Sequence, residues 1–411
     1  MSPDRAAVDE RLSEVLRDER GRLIGALVRI LGDWDLAEEL VQDAAVSALE
    51  HWASDGIPRN PGAWLMTAAR RKAVDRLRRQ ARYRERMEQL TREATAAATP
   101  PETGGPLEAD DRLRLLFTCC HPALNRESQV ALTLRTIGGL ETPAVARAFL
   151  VPEPTIAQRL VRAKRKIRDA GIPYRVPDAE EMPARLGEVL SVLYLIFNEG
   201  YLASSGASPE RRDLAQDAEW LTSLVARLMP EEPEVAGLLA LMRLHLARAD
   251  ARFAPDGSLV LLREQDRGRW DRHAIEAATA LLRRAESLGR PGPYQLQAAI
   301  LALHAGSPSW SSTPWAEIVR LYDALHRLEP TPVVGLNRAL AIAELDGPHA
   351  GLAALEPLAE RLDSYHLFHA ARAELLRRTG RADDARGADR RALALTDNPA
   401  ERRLLEARIA G

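Results

Sequence analysis

Apolar residues recur at three- and four-residue spacing along almost the whole chain, whereas alternating apolar and polar runs are nearly absent. This spacing places the apolar side chains on one face of an α-helix, and strands would need a period of two. The 411 residues also exceed what one hydrophobic core normally organises. We therefore expect an all-α chain with more than one domain.

The pattern of residues 1–93 predicts a first helical domain. Its first helix covers about residues 5–31, and the second begins at Asp35 with acids in its first turn, which suits the helix dipole. The third has Asn60 as its N-cap and Pro61 at the first helical position, and it continues into an Arg-rich stretch. These signals favour a compact group of three helices.

Residues 94–106 have small residues, Pro and Gly but nothing large to bury, which indicates a flexible linker over 94–107. The following segment, 108–175, has a four-helix pattern that ends in a helix-turn-helix. Its second helix, 153–169, has six Lys or Arg against two acids, a balance that favours binding to a polyanion. Leu150 stands in the turn where Gly is usual.

Residues 176–411 read as further helices, the last of them repeating every 34 residues. Three acids fall in register at this period: Glu329, Asp363 and Asp397. Ala339 and Ala373 share an offset that suits close helix crossings, and the repeat resembles tetratricopeptide units. The charged segment around Trp270 suggests an internal brace, with a contact surface as the alternative.

The formal net charge of -2 hides a segregation of sign along the chain. Residues 31–50 hold six acids and no Lys or Arg, whereas residues 70–92 hold ten Lys or Arg against three acids. An acidic helix is thus followed by a basic one, and this order of charges is informative about function.

Several classes of function find no support in the sequence. It has no Gly-rich phosphate loop, nucleophile elbow or clustered acid-base pair, so we expect no enzyme and no cofactor. The two cysteines, Cys119 and Cys120, are neighbours without the spacing of a zinc site, so we expect buried thiols and no metal. The absence of a long apolar run or a secretory leader favours a cytoplasmic protein without membrane contact.

The segments 32–44 and 60–79 closely resemble, in order and spacing, the second conserved region of bacterial sigma factors of the extracytoplasmic-function class, in the sigma-70 family. The helix-turn-helix is similar to their fourth region. A linker between the two and helical repeats behind them resemble the subgroup with a long tetratricopeptide-like C-terminal extension, group 42. The resemblance covers residues 8–170 in motif detail and the rest in architecture.

The resemblance implies a factor that directs RNA polymerase core to promoters for transcription initiation, under the control of its own C-terminal domain. It implies contacts with the clamp helices of the largest subunit and the flap of the second-largest. The acidic helix would supply the core-binding residues Asp35, Glu38, Glu39, Gln42 and Asp43. A repeat surface of this kind normally binds a protein or peptide, which gives a possible further partner.

The same resemblance assigns the DNA contacts. The loop at 58–63 would capture a flipped base of the -10 element. Residues for this element are Arg59, Asn60, Trp64, Arg70, Arg71, Asp75, Arg78 and Arg79. Residues for the -35 element are Thr155, Gln158, Arg159, Arg162, Lys164 and Lys166.

Some of these residues also admit a purely structural role. Trp64 suits helical packing as well as DNA, and Asp75 suits an ion pair within its own helix. Arg71 stands where many sigma factors have Asn, which bears on the base preference at -10. The alternative function is a helix-turn-helix regulator with a repeat sensor domain that is no polymerase subunit, and the acidic helix at 35–52 argues against it.

Overall fold

The computed structural model describes residues 5–91, 111–149, 151–201 and 212–410, and for residues 6, 17, 80–91 and 147–149 the backbone alone. Regular structure in these ranges is helical, with an isolated antiparallel bridge between Phe253 and Leu259 in the stretch whose sequence is hairpin-like. The all-α prediction is therefore confirmed.

Two sequence predictions concern residues outside the described ranges. They are the linker at 94–107, which falls within the undescribed residues 92–110, and the turn residue Leu150. Among the helices that are described, none is both long and apolar enough to cross a membrane. The chain divides into two compact units, Met1–Val192 and Leu193–Gly411.

The first unit begins with a three-helix group. Its helices are α1 (Arg5–Leu31), α2 (Trp34–Asp55) and α3 (Pro61–Thr91). They enclose Leu23, Leu27, Trp52 and Leu65, each fully or almost fully buried. Asp33, and not a residue of the first turn, caps α2, because its carboxylate accepts hydrogen bonds of 3.0 Å from the Asp35 and Leu36 amides.

A second group of helices in the same unit contains the helix-turn-helix. Its helices are α4 (Asp111–Cys119), α5 (Arg126–Thr136), α6 (Thr142–Phe149) and α7 (Glu153–Asp169). Ile156, Leu160, Ala163 and Ile167 form the buried face of α7, at the spacing of an amphipathic helix. The predicted helix-turn-helix is confirmed.

The two groups pack against each other through α1 and α4. Gly25 on α1 makes this possible, because a Cβ there would lie 2.8 Å from the Asp111 carbonyl oxygen. The Tyr174 hydroxyl lies between the two helices, 2.9 Å from the Gly25 carbonyl oxygen and 3.1 Å from that of Asp111. Arg29 pairs with the Asp111 carboxylate at 3.1 Å. The interface is thus a close backbone contact with polar links at its edge.

The helix α8 (Met182–Tyr201) starts in the first unit and contains the boundary between the units. Its first turns contact the helix-turn-helix group, because Arg185 donates a hydrogen bond of 2.5 Å to the Phe117 carbonyl oxygen. Glu188 pairs with Arg126 at 3.0 Å. The beginning of α8 therefore belongs structurally with α4 and α5.

The second unit is a series of antiparallel helix pairs. Its helices are α9 (Arg212–Leu228), α10 (Pro233–Leu246), α11 (Arg272–Ser287), α12 (Pro293–Gly306), α13 (Trp315–Leu328), α14 (Pro332–Leu345), α15 (Pro348–Leu355), α16 (His366–Arg378), α17 (Ala382–Leu395) and α18 (Pro399–Ala410). Ala339 on α14 and Ala373 on α16 are buried, as the 34-residue period predicts. Gly351 allows α15 to approach α14, since a Cβ there would lie 3.2 Å from the Ala339 carbonyl oxygen.

The charged segment before α11 is an internal brace. Trp270 is buried beneath two guanidinium groups, whose carbons lie 5.5 Å (Arg248) and 4.7 Å (Arg267) from the ring centroid. Arg267 also donates to the carbonyl oxygens of His304 and Ser307. The side chain of Asp271 caps α11 at the Ala274 amide. This confirms the brace and joins the segment to α11 and α12.

Candidate nucleic-acid and protein interfaces

The exposed face of α2 carries three of the five residues predicted to bind polymerase. Glu39, Gln42 and Asp43 are all exposed, and their spacing of three and four places them on neighbouring turns. Their apolar neighbours on the helix, such as Leu40 and Ala44, are buried in the three-helix core. The fold therefore brings these three polar side chains together on an open surface.

Val46 extends this surface and escaped the sequence reasoning. Its side chain is 54% exposed, one turn beyond Gln42 and Asp43. An apolar side chain beside acids is typical of protein interfaces, whose centres are poorer in charge than their rims. The signal in the sequence was an apolar residue at i+3 from Asp43, on the polar side of the helix.

Asp35 and Glu38, the other two predicted core-binding residues, face the helix-turn-helix group. Lys164 of α7 lies 2.8 Å from Oδ1 of Asp35 and 3.3 Å from Oε2 of Glu38. Only 13% of the Glu38 side chain and 14% of the Lys164 side chain are exposed, whereas Asp35 is 79% exposed. The first turn of the acidic helix is thus occupied by a residue predicted to bind DNA.

Further cations surround Glu38. Arg135 of α5 lies 3.9 Å from its carboxylate. Arg20 of α1 is largely buried beside them, and burial lowers the pKa of its guanidinium, Arg135 lowers it further, and Glu38 opposes both. Glu38 therefore stabilises three cations at the junction of the two helical groups.

The start of α3 is set by Asn60. Its side-chain oxygen accepts a hydrogen bond of 3.0 Å from the Ala63 amide, which confirms it as the N-cap, and Pro61 takes the first helical position. Arg59 and Asn60 are exposed in the loop before the helix. The loop predicted to capture a flipped base therefore presents polar groups to solvent.

One exposed groove runs along α3 beyond this loop. Its lining residues are Thr67, Arg70, Arg71, Val74, Asp75 and Arg78. Arg79, also exposed, donates to the backbone carbonyl of Asp75 at 3.3 Å. Four of the predicted -10 residues thus share one basic groove, to which Val74 adds an apolar contact missed by the sequence reasoning.

Trp64 lies partly buried at the inner side of α3. Its ring meets that of Trp52 edge-on, with centroids 5.7 Å apart, and His51 at 5.9 Å. The packing role considered for Trp64 is therefore observed.

The recognition helix α7 exposes most of its predicted -35 residues. Thr155, Gln158, Arg162 and Lys166 are exposed on its outer face. Arg159 differs: only 18% of its side chain is exposed, and its Nη2 lies 2.5 Å from Oε2 of Glu127 on α5. Val161, 59% exposed, adds an apolar group that could meet a thymine methyl.

The burial predicted for the two cysteines is confirmed. Cys119 and Cys120 are buried, and burial raises the pKa of both thiols, that of Cys120 to about 12. Among the residues that the structure describes, no group of three or more His, Cys, Asp or Glu side chains is placed to hold a metal ion.

Three family matches cover successive parts of the chain. Residues 15–83 match sigma-70 region 2, and residues 114–167 match sigma-70 region 4. Residues 185–286 match a family of unknown function, DUF6596. The first two matches fall on the three-helix group and the helix-turn-helix group.

Some similar proteins match nearly the whole chain, and others match about 40% of it. An uncharacterised protein of Rhizobium meliloti is 46% identical over 387 residues, which is 93% of this chain and 91% of the relative. The ECF RNA polymerase sigma factor SigL of Mycobacterium tuberculosis is 30% identical over 166 residues, 40% of this chain and 90% of the relative. The probable ECF RNA polymerase sigma factor SigI of the same species is 26% identical over 171 residues, 41% of this chain and 58% of the relative.

No solved structure matches the chain significantly. Region 2 and region 4 nevertheless occur in order, on the two helical groups that present the acidic, basic and helix-turn-helix surfaces. The chain therefore belongs to the ECF RNA polymerase sigma factors, which are not enzymes but bind the polymerase core and promoter DNA, and it adds a helical C-terminal extension to regions 2 and 4.

Proposed function

We propose that residues 1–93 bind the polymerase core and open the -10 element, that residues 108–175 hold the -35 element, and that residues 176–411 control this activity. The observation that carries the proposal is the separation of an exposed acidic face on α2 from an exposed basic groove on α3. One three-helix group can then hold protein on one surface and DNA on another.

For the polymerase contact, we assign Glu39, Gln42 and Asp43, with Val46 at their side, to the clamp helices of the largest subunit. Their exposure and their common face support this assignment. Asp35 and Glu38 join the contact only after their pairing with Lys164 opens, because Lys164 occupies them here.

For the -10 element, the loop at Arg59 and Asn60 would receive the unstacked base, and the Arg-lined groove of α3 would hold the single strand. Exposed guanidinium groups at successive turns suit a phosphate backbone, and base capture needs a pocket next to such cations. Trp64, one turn after Asn60, packs against Trp52 and so fixes the start of α3 on α2.

For the -35 element, Gln158 and Arg162 would reach base edges and Lys166 a phosphate, and the exposure of all three side chains supports this assignment. Region 4 would at the same time meet the flap of the second-largest subunit. Arg159 reaches DNA once it leaves Glu127.

The C-terminal unit is proposed as the controlling domain, in place of a separate regulatory protein, with a protein or peptide as its partner. Its last three helix pairs, α13 to α18, recur at about the 34-residue period and resemble tetratricopeptide repeats, which bind partners on their surfaces. A truncation that tests this control keeps the first turns of α8, because Arg185 and Glu188 contact Phe117 and Arg126, and it ends at Tyr201 with the end of this helix.

The test is transcription in vitro with purified core polymerase on promoters selected by genomic binding. Asp43→Arg should abolish core binding and transcription but leave DNA binding by region 4 intact. Asp18→Arg, the same charge change at an exposed position of α1, should retain both. Unchanged transcription by Asp43→Arg would refute the placement of the core contact.

The same assay tests the control. Residues 1–201, once shown by circular dichroism to be helical, should transcribe at a level different from that of the full chain. A higher level means that the extension masks the sigma regions, and a lower one that it supports them. Equal levels on all promoters would refute control by the extension.

A further inference from the structure

Residues 254–264 of the second unit, which we call the inner segment, lie between two anchored ends. Before the segment, Arg252 is buried and donates a hydrogen bond of 2.6 Å to the Tyr201 carbonyl oxygen. Its guanidinium carbon also lies 3.6 Å from the centroid of the Tyr201 ring. After the segment comes the brace around the buried Trp270. Between these ends the backbone has turns and an isolated antiparallel bridge, so the segment has little regular structure of its own.

The second helices of the last three pairs, α14, α16 and α18, carry equivalent residues at positions 34 apart. These sets are Leu340, Glu374 and Arg408; Ala341 and Leu375; and Glu344 and Arg378. All of them except Arg408 line one cavity of about 280 Å³, and Arg408 lies 3.5 Å from the Glu374 carboxylate. We call these seven residues the repeat face. The repeat thus brings the same surface of successive helices to one side, as stacked helical repeats do.

The inner segment lies against the repeat face. Its residues 261–263 line the same cavity. Nη1 of Arg263 lies 2.8 Å from Oε1 of Glu374 on α16, and its Nε lies 3.5 Å from Oε1 of the neighbouring Glu264. The segment therefore places two leucines and one arginine at the repeat face, with the arginine at a carboxylate of that face.

A turn of the inner segment reaches α18. Arg403 of this helix donates a hydrogen bond of 3.0 Å to the Asp256 carbonyl oxygen. Gly257 follows with a φ of +79°, and a Cβ there would lie 2.7 Å from Nη1 of Arg403. Both the positive φ and the close approach favour glycine at this position. The segment thus contacts α16 and α18 and shares the cavity with α14.

The charges that line the cavity are balanced in pairs. Arg263 pairs with Glu374, and Arg378 pairs with Glu344. A free ion of either sign would have to separate one of these pairs, which leaves the other group without its counter-charge. The repeat face therefore suits an occupant whose own cation takes the place of Arg263 beside Glu374.

The contacts of the inner segment with the repeat face are exchangeable. Leu261 and Leu262 are only half-buried, and the cavity remains open beside them. The side chain of Arg263 is 35% exposed in its pair with Glu374, and ion pairs of this exposure contribute little to stability. Another chain with the same pattern of side chains could therefore replace the segment at modest cost.

We infer that the inner segment is an internal ligand of the repeat face, and that the partner of this face is a peptide with two adjacent apolar residues followed by Arg. Such a peptide takes the place of Leu261, Leu262 and Arg263. A tethered segment competes at an effective concentration in the millimolar range, so a partner must displace it. The inference deepens the proposed function, which gives the extension a protein or peptide partner. Its tests measure binding alone, so their failure and a failure of control over transcription are distinguishable.

The first test compares two full-length chains, the wild type and one in which residues 254–264 are replaced by a Gly-Ser sequence of equal length. The probe is a fluorescein-labelled peptide with the sequence of residues 254–264, and binding is measured by fluorescence anisotropy. The replaced chain should bind the peptide saturably and at least about ten-fold more tightly than the wild type, whose own segment competes. Equal affinities would overturn the inference. So would the absence of saturable binding by a replaced chain that circular dichroism shows to be helical.

The second test leaves the inner segment in place. Arg263→Glu sets a carboxylate against Glu374, which should loosen the segment and let the same peptide bind about three- to ten-fold more tightly than it binds the wild type. Arg269→Glu makes the same charge change at an exposed position outside the cavity and should bind like the wild type. Equal affinities of the two variants would overturn the inference, whether or not the replaced chain folds.

A double-mutant cycle locates the peptide on the repeat face. In the chain that binds the peptide more tightly, Arg263→Gln in the peptide and Glu374→Gln in the protein should be coupled by at least about three-fold in affinity. Glu344→Gln is the control, because Glu344 lines the same cavity but pairs with Arg378. Its coupling with the same peptide change should be close to one-fold. Equal coupling at Glu344 and Glu374 would refute the placement of the peptide arginine.

Discussion

The ammonium group of Lys164, on the recognition helix of region 4, lies 2.8 Å from the carboxylate of Asp35 at the start of the acidic helix of region 2. The two residues are 129 positions apart in the sequence. Each was predicted to face a different partner, DNA for Lys164 and polymerase for Asp35. In this structure they neutralise each other, so that the two regions must separate before both residues can take up those contacts.

Lys164→Glu should open this contact. A carboxylate at position 164 would repel Asp35 and Glu38, and the full chain should then bind core polymerase about three- to ten-fold more tightly without DNA, as expected for loss of a partly exposed ion pair. Fluorescence anisotropy with labelled core measures the affinity. Lys166→Glu changes the same charge on the exposed face of α7 and should have no such effect. Equal affinities of the two variants would contradict a competing contact.

Glu127→Gln should strengthen binding to -35 DNA. Glu127 holds Arg159 at 2.5 Å, and its neutralisation releases one cation towards the phosphates or bases. We expect an increase of about three- to ten-fold in affinity for duplex DNA, with a steeper salt dependence. Gel-shift titrations at several salt concentrations give both values. Asp169→Asn, which removes the same charge at the far end of α7, should change affinity less; an equal gain would assign the effect to net charge alone.

Gly25→Ala should destabilise the first unit. The added methyl group would lie 2.8 Å from the Asp111 carbonyl oxygen, and since this oxygen belongs to packed backbone that cannot move aside easily, we expect the free energy of unfolding to fall by about 1–3 kcal/mol. Gly187→Ala on α8 should have the opposite effect. No atom lies within 4 Å of the position of the added Cβ, so the free energy of unfolding should rise by about 0.5–1 kcal/mol. Urea denaturation of the two variants should give opposite shifts, and shifts of the same sign would refute the close contact.

Cys120 should resist alkylation in the folded protein. Because burial raises the pKa of its thiol to about 12, the reactive thiolate is almost absent at pH 8, and iodoacetamide should label the native chain at least about 100-fold more slowly than the unfolded chain. Mass spectrometry of quenched samples measures the rate. Rapid labelling of Cys120 under native conditions would show that the thiol is accessible.

The same pKa predicts a dependence of stability on pH. A folded-state value above the unfolded one stabilises the protein below about pH 9 and loses that effect as the pH rises towards 12. The difference in the free energy of unfolding between the wild type and Cys120→Ala should therefore shrink above pH 9. A constant difference over this range would contradict the raised pKa.

Local features of the fold were predictable because their causes are local. Asn60 and Pro61 mark the start of α3 by capping and by a fixed φ, and the apolar spacing of Ile156, Leu160 and Ala163 marks the buried face of α7. The observed start of α2, Trp34, lies one residue before the predicted start at Asp35. The helix is capped by the Asp33 side chain, and the sequence alone does not tell whether an acid caps a helix or lies in its first turn.

The sequence also indicated which residues belong to the interfaces, but not which of them are free. Exposure of Glu39, Asp43 and Arg162 follows from the polar faces of their helices. Burial of Lys164 and Arg159 follows from partners on other helices, and periodicity does not reveal such partners. The same limit applies to Val46 and Val161. Both are exposed, although an apolar residue on an amphipathic helix is normally expected on the buried face.

By itself, the sequence determined that the chain is all-α and that an acidic helix, a basic helix and a helix-turn-helix follow one another in the order of sigma regions 2 and 4. Only the tertiary structure decided that the acidic helix meets the recognition helix through Asp35, Glu38 and Lys164. The physical reason is range. Helix formation and capping depend on residues within about one or two turns, whereas ion pairing and cavities depend on packing between residues far apart in the chain.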